Sequence, residues 1–178
     1  MTSQLREELQ ELAKLDAVKQ LAQLELLREI YGHSVTSLTG AESGLQYNCV
    51  MYAMNVHEHG ELYQLLVHLT YGTDKNLGVV MDTNFLQMLI DDGDLHKVTT
   101  TSNCLAVYST SEKITHIGVV LSSGRVISKW GTAHLYEHEV LECPLSYGDD
   151  VDFYNSIDPE VCVDRFFDYA ESKGVKFG

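Results

Sequence analysis

The sequence predicts an α+β fold, with helices first and an antiparallel sheet second, and three observations carry that prediction. The first 31 residues contain no Gly or Pro and are rich in Leu, Glu, Lys and Gln, all strong helix formers. From about residue 95 the pattern changes to short β-branched or aromatic runs divided by turn residues. A chain of 178 residues, 44% apolar and with only two prolines, is long enough to bury one core without disulfide or metal staples.

In the N-terminal region Leu9, Leu12, Leu15, Val18, Leu21, Leu24, Leu27 and Ile30 recur every three residues, whereas a straight helical stripe needs about 3.6. Either one helix wraps around the body, or two helices meet near Asp16, a candidate N-cap. Packing on the domain is expected rather than a dimeric coiled coil, because no sustained heptad is present. Gly32 closes a helical extension, residues 1–32, and leaves 33–178 as the main domain. The stretch "HSVTSLTGAESGLQYN" reads as a loop before a helix that begins near Cys49.

A further helix is expected at about 61 to 71, with Leu62, Leu65, Leu66 and Leu69 on one face and Gly72 at its end. Another runs near 83 to 92, capped by Asp82 and stopped at Gly93. The strands follow as "CLAVYST", "THIGVVLS", "RVISKW" and "DVDFYN", joined through the turns "SEK", "SSG" and "YGDD" as an antiparallel meander. The chain closes with a helix from Asp158 and Pro159, a cap followed by proline at the first helical position, to near Gly174.

Twelve basic residues against 26 acidic ones give a formal charge of −14, which repels phosphate backbones and anionic membranes. Neither nucleic acid nor a membrane is expected as a partner. From Glu137 to Glu171 eleven acidic residues stand against one basic residue, Arg165. The simple reading of that run is a solvated acidic face; a partner protein or peptide docking there would be cationic. Cys49, Cys104, Cys143 and Cys162 lie far apart with no C-x-x-C pair, so reduced thiols and a cytoplasmic location are expected. No apolar run approaches the roughly 20 residues that span a bilayer.

One stretch, "QYNCVMYAMN" at 46–55, raises the question of chemistry. A thiol at the start of a helix sits against backbone N–H groups that favour an anion. A nucleophilic Cys49 needs a base and a group to orient it, and His116 is the candidate base. It opens the hairpin "HIGVVLSSGRVISKWG", where alternation puts His116, Gly118 and Val120 on one face and Ile117, Val119 and Leu121 on the other. The returning strand brings Ser128 and Lys129 back towards the level of His116. Cys104, Cys143 and Cys162 read as core residues.

The order "YNCVMYA", "THIGVVLSSGRVISKWG", "EHEV" and "YGDDVDFY" resembles the papain-like cysteine hydrolases of the NlpC/P60 superfamily. Within that group it is similar to an uncharacterised bacterial and phage family. The likeness covers residues 46 to 154. It implies a papain-like core of helices packed on an antiparallel sheet, with Cys49 as nucleophile, His116 as base and Ser128 in the third position, where relatives more often carry His, Asn or Gln. Lys129 or His138 are alternatives for that role. Asn48 stands where many relatives have Asp, and the backbone N–H of Cys49 is the implied oxyanion donor.

The function expected is therefore hydrolysis of an amide or ester through an acyl-enzyme, of peptidase or amidase type. The alternative is a catalytically inactive papain-like scaffold, a protein-binding module of inhibitor or immunity type. A metal site built from His57, His59, His134 and His138 is disfavoured, because no ligand template such as H-E-x-x-H is present and these read as surface histidines. No metal and no other cofactor is expected.

Overall fold

A computed structural model describes residues 3–38, 47–61, 63–64, 66, 79–111, 113–131 and 134–175. Its helices are α1 (Ser3–Ala13), α2 (Ala17–Tyr31), α3 (Cys49–Ala53), α4 (Thr83–Asp91) and α5 (Pro159–Ser172). Its strands are β1 (Thr36–Ser37), β2 (Cys104–Thr110), β3 (Lys113–Val120), β4 (Val126–Lys129), β5 (Leu135–His138) and β6 (Asp150–Tyr154), with 3-10 turns at Val56–Glu58 and Leu145–Tyr147. The helix expected at about 61 to 71 lies largely outside the described residues.

Asp16 divides the N-terminal region into two helices. Its carboxylate accepts the backbone N–H of Lys19 at 3.0 Å and starts α2. Leu5, Leu9 and Leu12 form the inner face of α1, and Gln20, Leu24 and Leu27 that of α2. Because the helical phase restarts at Asp16, three members of the expected stripe, Leu15, Val18 and Ile30, point outward.

The strands form one antiparallel sheet in the order β1-β5-β4-β3-β2-β6. Strands β2 to β5 are a meander; β6 returns to pair with β2, and β1 adds an edge to β5. Sequence reading assigns β1 and β5 to loops. These strands have two and four residues, too few to show a period, and pairing alone makes them strands.

Each face of the sheet is covered. Helices α3, α4 and α5 enclose a core with Met51, Phe85, Leu89, Ile117 and Phe166. Helices α1 and α2 enclose a second, with Leu9, Leu24, Tyr108, Trp130 and Tyr136. The pleat of β3 separates them as alternation requires: Ile117 belongs to the first and Val120 to the second.

The buried Arg6 of α1 fastens the segment after β5. Its guanidinium donates to the carbonyls of Cys143 at 3.1 Å and Gly148 at 2.7 Å and pairs with Asp149. Gly148, at φ +96°, is required there, since a Cβ would lie 2.0 Å from the Ser109 carbonyl oxygen. Among the described residues no helix is long and apolar enough to cross a membrane.

Candidate active site

Asn48 builds the entry to α3. Its backbone is extended, its side-chain oxygen accepts the Met51 N–H at 3.0 Å, and its amide donates to the Met81 carbonyl at 2.9 Å. It thus caps one helix and ties it to the start of another, since Asp82 caps α4. Cys49 is the first residue of α3 and is half-buried. Protein packed around the sulfur removes its solvation and pushes the thiol up to about 11; the backbone N–H groups of Ile117 and Val50 act in the opposite direction. The sulfur therefore lies near the backbone of β3 at Ile117, on the α3 side of the sheet.

A bulge sets the direction of His116. Tyr108 pairs with His116 but Ser109 pairs with Ile114, which leaves Thr115 as the extra residue. The Thr115 hydroxyl donates to the carbonyls of Tyr108 at 3.1 Å and Tyr147 at 2.5 Å. The bulge turns both Ile114 and Ile117 towards α3. The buried His116 ring stacks on Tyr147, with centroids 3.7 Å apart and planes 10° from parallel, and tilts against Tyr108 at 5.7 Å.

Burial, aided by nearby His138, holds the His116 imidazole well below its usual range. Its Nε2 is enclosed and has no hydrogen-bond partner among the described residues. Burial raises the Tyr147 phenol, and Cys49 is the next contributor. The ring stacked on His116 is thus within electrostatic reach of the sulfur.

Gly118 lies beside Ser128, and a Cβ on it would come within 3.0 Å of the serine Cβ. Ser128 therefore shares the face of His116. Its hydroxyl is already used: Trp130 Nε1–H donates to it at 3.0 Å, and His138 Nε2 lies at 2.9 Å. His138 Nδ1 is 2.7 Å from the Glu139 carbonyl, an acceptor only. The proton must sit on Nδ1, so Ser128 donates to Nε2. One lone pair remains on the serine oxygen. Burial lowers the pKa of His138 to about 4.

Lys129 points to the other face, also buried, with Nζ 4.2 Å from the Tyr47 ring centroid. The structure thus joins Asn48 to the Cys49 helix, Lys129 to Tyr47 beside it, and Ser128 to His138. Among the described residues no hydrogen bond links the His116 ring to the Cys49 sulfur or the Ser128 hydroxyl: the ring lies with Tyr108 and Tyr147 on the α1–α2 side of the sheet, and Cys49 packs on the α3 side.

Two expectations need correction. His57 and His138 are buried rather than on the surface, His57 against the Tyr47 and Tyr52 rings. His134 is directed at the Ala17 carbonyl, 2.9 Å away, and the described residues contain no group of three metal-ligating side chains. Specificity is expected in loops around 33 to 46 and 131 to 137; within them 36–37 and 135–137 are strand, and 39–46 and 132–133 lie outside the described residues. Cys104, Cys143 and Cys162 are buried free thiols.

Tyr147 and Thr115 were not legible as site residues. The only signal was the Tyr-Gly pair of the motif, which reads as a turn. A groove of about 540 Å³ runs beside the C-terminal end of α3, with Tyr52, Asn55, Val119, Leu121 and Ile157 in its walls. Neither Cys49 nor His116 lines it.

A family model described as a domain of unknown function (DUF7689) matches residues 37–155, a span containing Cys49, His116, Ser128 and Tyr147 but neither α1 nor α2. No curated protein and no solved structure matches the chain.

Proposed function

The chain belongs to the family described as a domain of unknown function (DUF7689), and we propose that it is a papain-like, NlpC/P60-type cysteine hydrolase acting on an amide or ester. One observation carries this reading: Cys49 opens α3 beside β3, the strand that carries His116, and among the described residues His116 Nε2 is a buried ring nitrogen without a hydrogen-bond partner. An unsatisfied buried nitrogen costs stability, and use as a proton acceptor is a reason to keep one.

The raised thiol and lowered imidazole make the resting pair neutral, so the chemistry is general-base attack rather than reaction of a stored thiolate. The thiol proton passes to His116, a step that requires the ring to leave its stack on Tyr147, as sulfur bonds to the substrate carbonyl carbon. The backbone N–H of Cys49 receives the oxyanion. Collapse breaks the bond to the amine or alcohol, which leaves with the proton from the imidazolium. Water, giving a proton to the same imidazole, then displaces the sulfur and releases the acid.

Iodoacetamide labelling followed by peptide mapping tests the pairing. Cys49 is expected to label ahead of the three buried thiols at pH 6 to 7, and the His116→Ala variant to slow that labelling about a hundredfold, the lower end of what a general base contributes. Labelling of Cys49 that ignores His116→Ala would refute the dyad.

The second reading, an inactive scaffold with an acidic binding face, is favoured by the Ser128 hydroxyl, which serves His138 and Trp130. Full biological activity in a Cys49→Ala variant would select it.

A further inference from the structure

Helix α2 is apolar on two opposite sides. Leu24 and Leu27 are buried against the body, and Gln20 anchors that side by donating to the carbonyls of Ala13 and Leu15 and accepting the Tyr136 hydroxyl at 2.7 Å. The other side carries Val18, Ala22, Leu26 and Ile30, spaced by four. Val18 is 81%, Leu26 54% and Ile30 70% exposed, and Ala22 is exposed as well. Residues at this spacing form a continuous ridge on a helix, and such a row in water marks an interaction surface.

We propose that this ridge is the interface of a homodimer in which two copies of α2 pack antiparallel about a two-fold axis. The ridge is complementary to itself in that arrangement and in no other. With the axis between Ala22 and Leu26, each Ala22 meets the second copy's Leu26, small against large, and each Val18 meets the second copy's Ile30. The charges follow the same register, because Lys19 faces the second copy's Glu29. A parallel pairing would set Lys19 against Lys19 and Glu29 against Glu29.

Ridges of this kind interlock at a crossing angle of about −50°. A 15-residue helix is about 22 Å long, so the contact is small, in the range of weak interfaces below about 1,200 Å², and the expected Kd is roughly micromolar or weaker. The net charge of −14 opposes association, but at physiological salt the Debye length of about 8 Å screens the two bodies while leaving the touching pairs.

Sedimentation equilibrium of the full chain, from about 1 to 100 μM to bracket that Kd, is expected to show the mass double. Leu26→Glu should weaken association at least about tenfold with unchanged circular dichroism, since the side chain touches little of its own chain. Lys19→Glu and Glu29→Lys should each weaken it, and the two together should restore it. Lys19 also pairs with Asp16 in its own chain at 2.7 Å, so recovery in the double variant separates the interface from a local effect. A single-chain mass throughout, a dimer indifferent to Leu26→Glu, or a double swap no better than the singles would overturn the proposal.

Discussion

His116 combines two features that seldom persist without use: complete enclosure and a nitrogen unpartnered among the described residues. The enclosed nitrogen costs about 1–3 kcal/mol, against roughly 0.5–1.5 kcal/mol from its stack on Tyr147. His116→Leu should therefore change stability by no more than about 1 kcal/mol while removing the dependence of Cys49 labelling on residue 116. Urea denaturation measures it, and a loss above about 3 kcal/mol would mean that the imidazole serves the fold. The Cys49 site was legible because a cap and a first helical turn are written in adjacent letters, "NCVMYA". Tyr147 was not, because it stands 31 positions along the chain, beyond two further strands, from the ring it covers.

Among the helices, α1 has a role out of proportion to its length. Arg6 crosses from it to the segment 143–149, and that segment carries the Tyr147 ring onto His116. Arg6→Met would leave two carbonyls of that segment without their donor, for an expected loss of about 2–6 kcal/mol at roughly 1–3 each. Arg6→Lys should recover less than half of it, because a single ammonium cannot reproduce the fork that reaches Cys143, Gly148 and Asp149 together. Chemical denaturation of the three proteins decides, with full recovery by lysine counting against the clamp. The apolar periodicity before Gly32 was visible, yet not which residues face inward. That depended on the break at Asp16, where a side chain competes with the helix for a backbone donor. The strand pair β1–β5 shows the opposite case, in which neighbours impose strand geometry on segments too short to state it.

At the scale of the whole molecule, burial holds His33, His116 and His138 below the usual imidazole range, His138 at about 4, and keeps them neutral. The unfolded chain takes up protons on these rings below about pH 6.5, whereas the folded chain does not. The unfolded state then binds more protons, so stability falls as pH drops from about 6.5 towards 4, by up to roughly 1.4 kcal/mol per pH unit for each ring. Thermal unfolding across that range should show it, and His138→Phe should flatten the curve; a midpoint constant from pH 7 to 4.5 would contradict the burial. The acidic run from Glu137 onward is partly offset by Arg125, which holds Glu137 and Glu139, whereas Arg165 reaches out of the run to hold Asp92 and Asp94.

Local chemistry alone determined that this chain is α+β, where most of its helices begin, that its thiols stand apart, and how the pleat of β3 sorts its side chains, since caps, turns and periods act over a few residues. Tertiary structure decided the rest: which side of α2 meets water, how a bulge aims His116, and which aromatic ring lies upon it. Those outcomes depend on contacts between residues far apart in sequence, whose free energy no single segment contains.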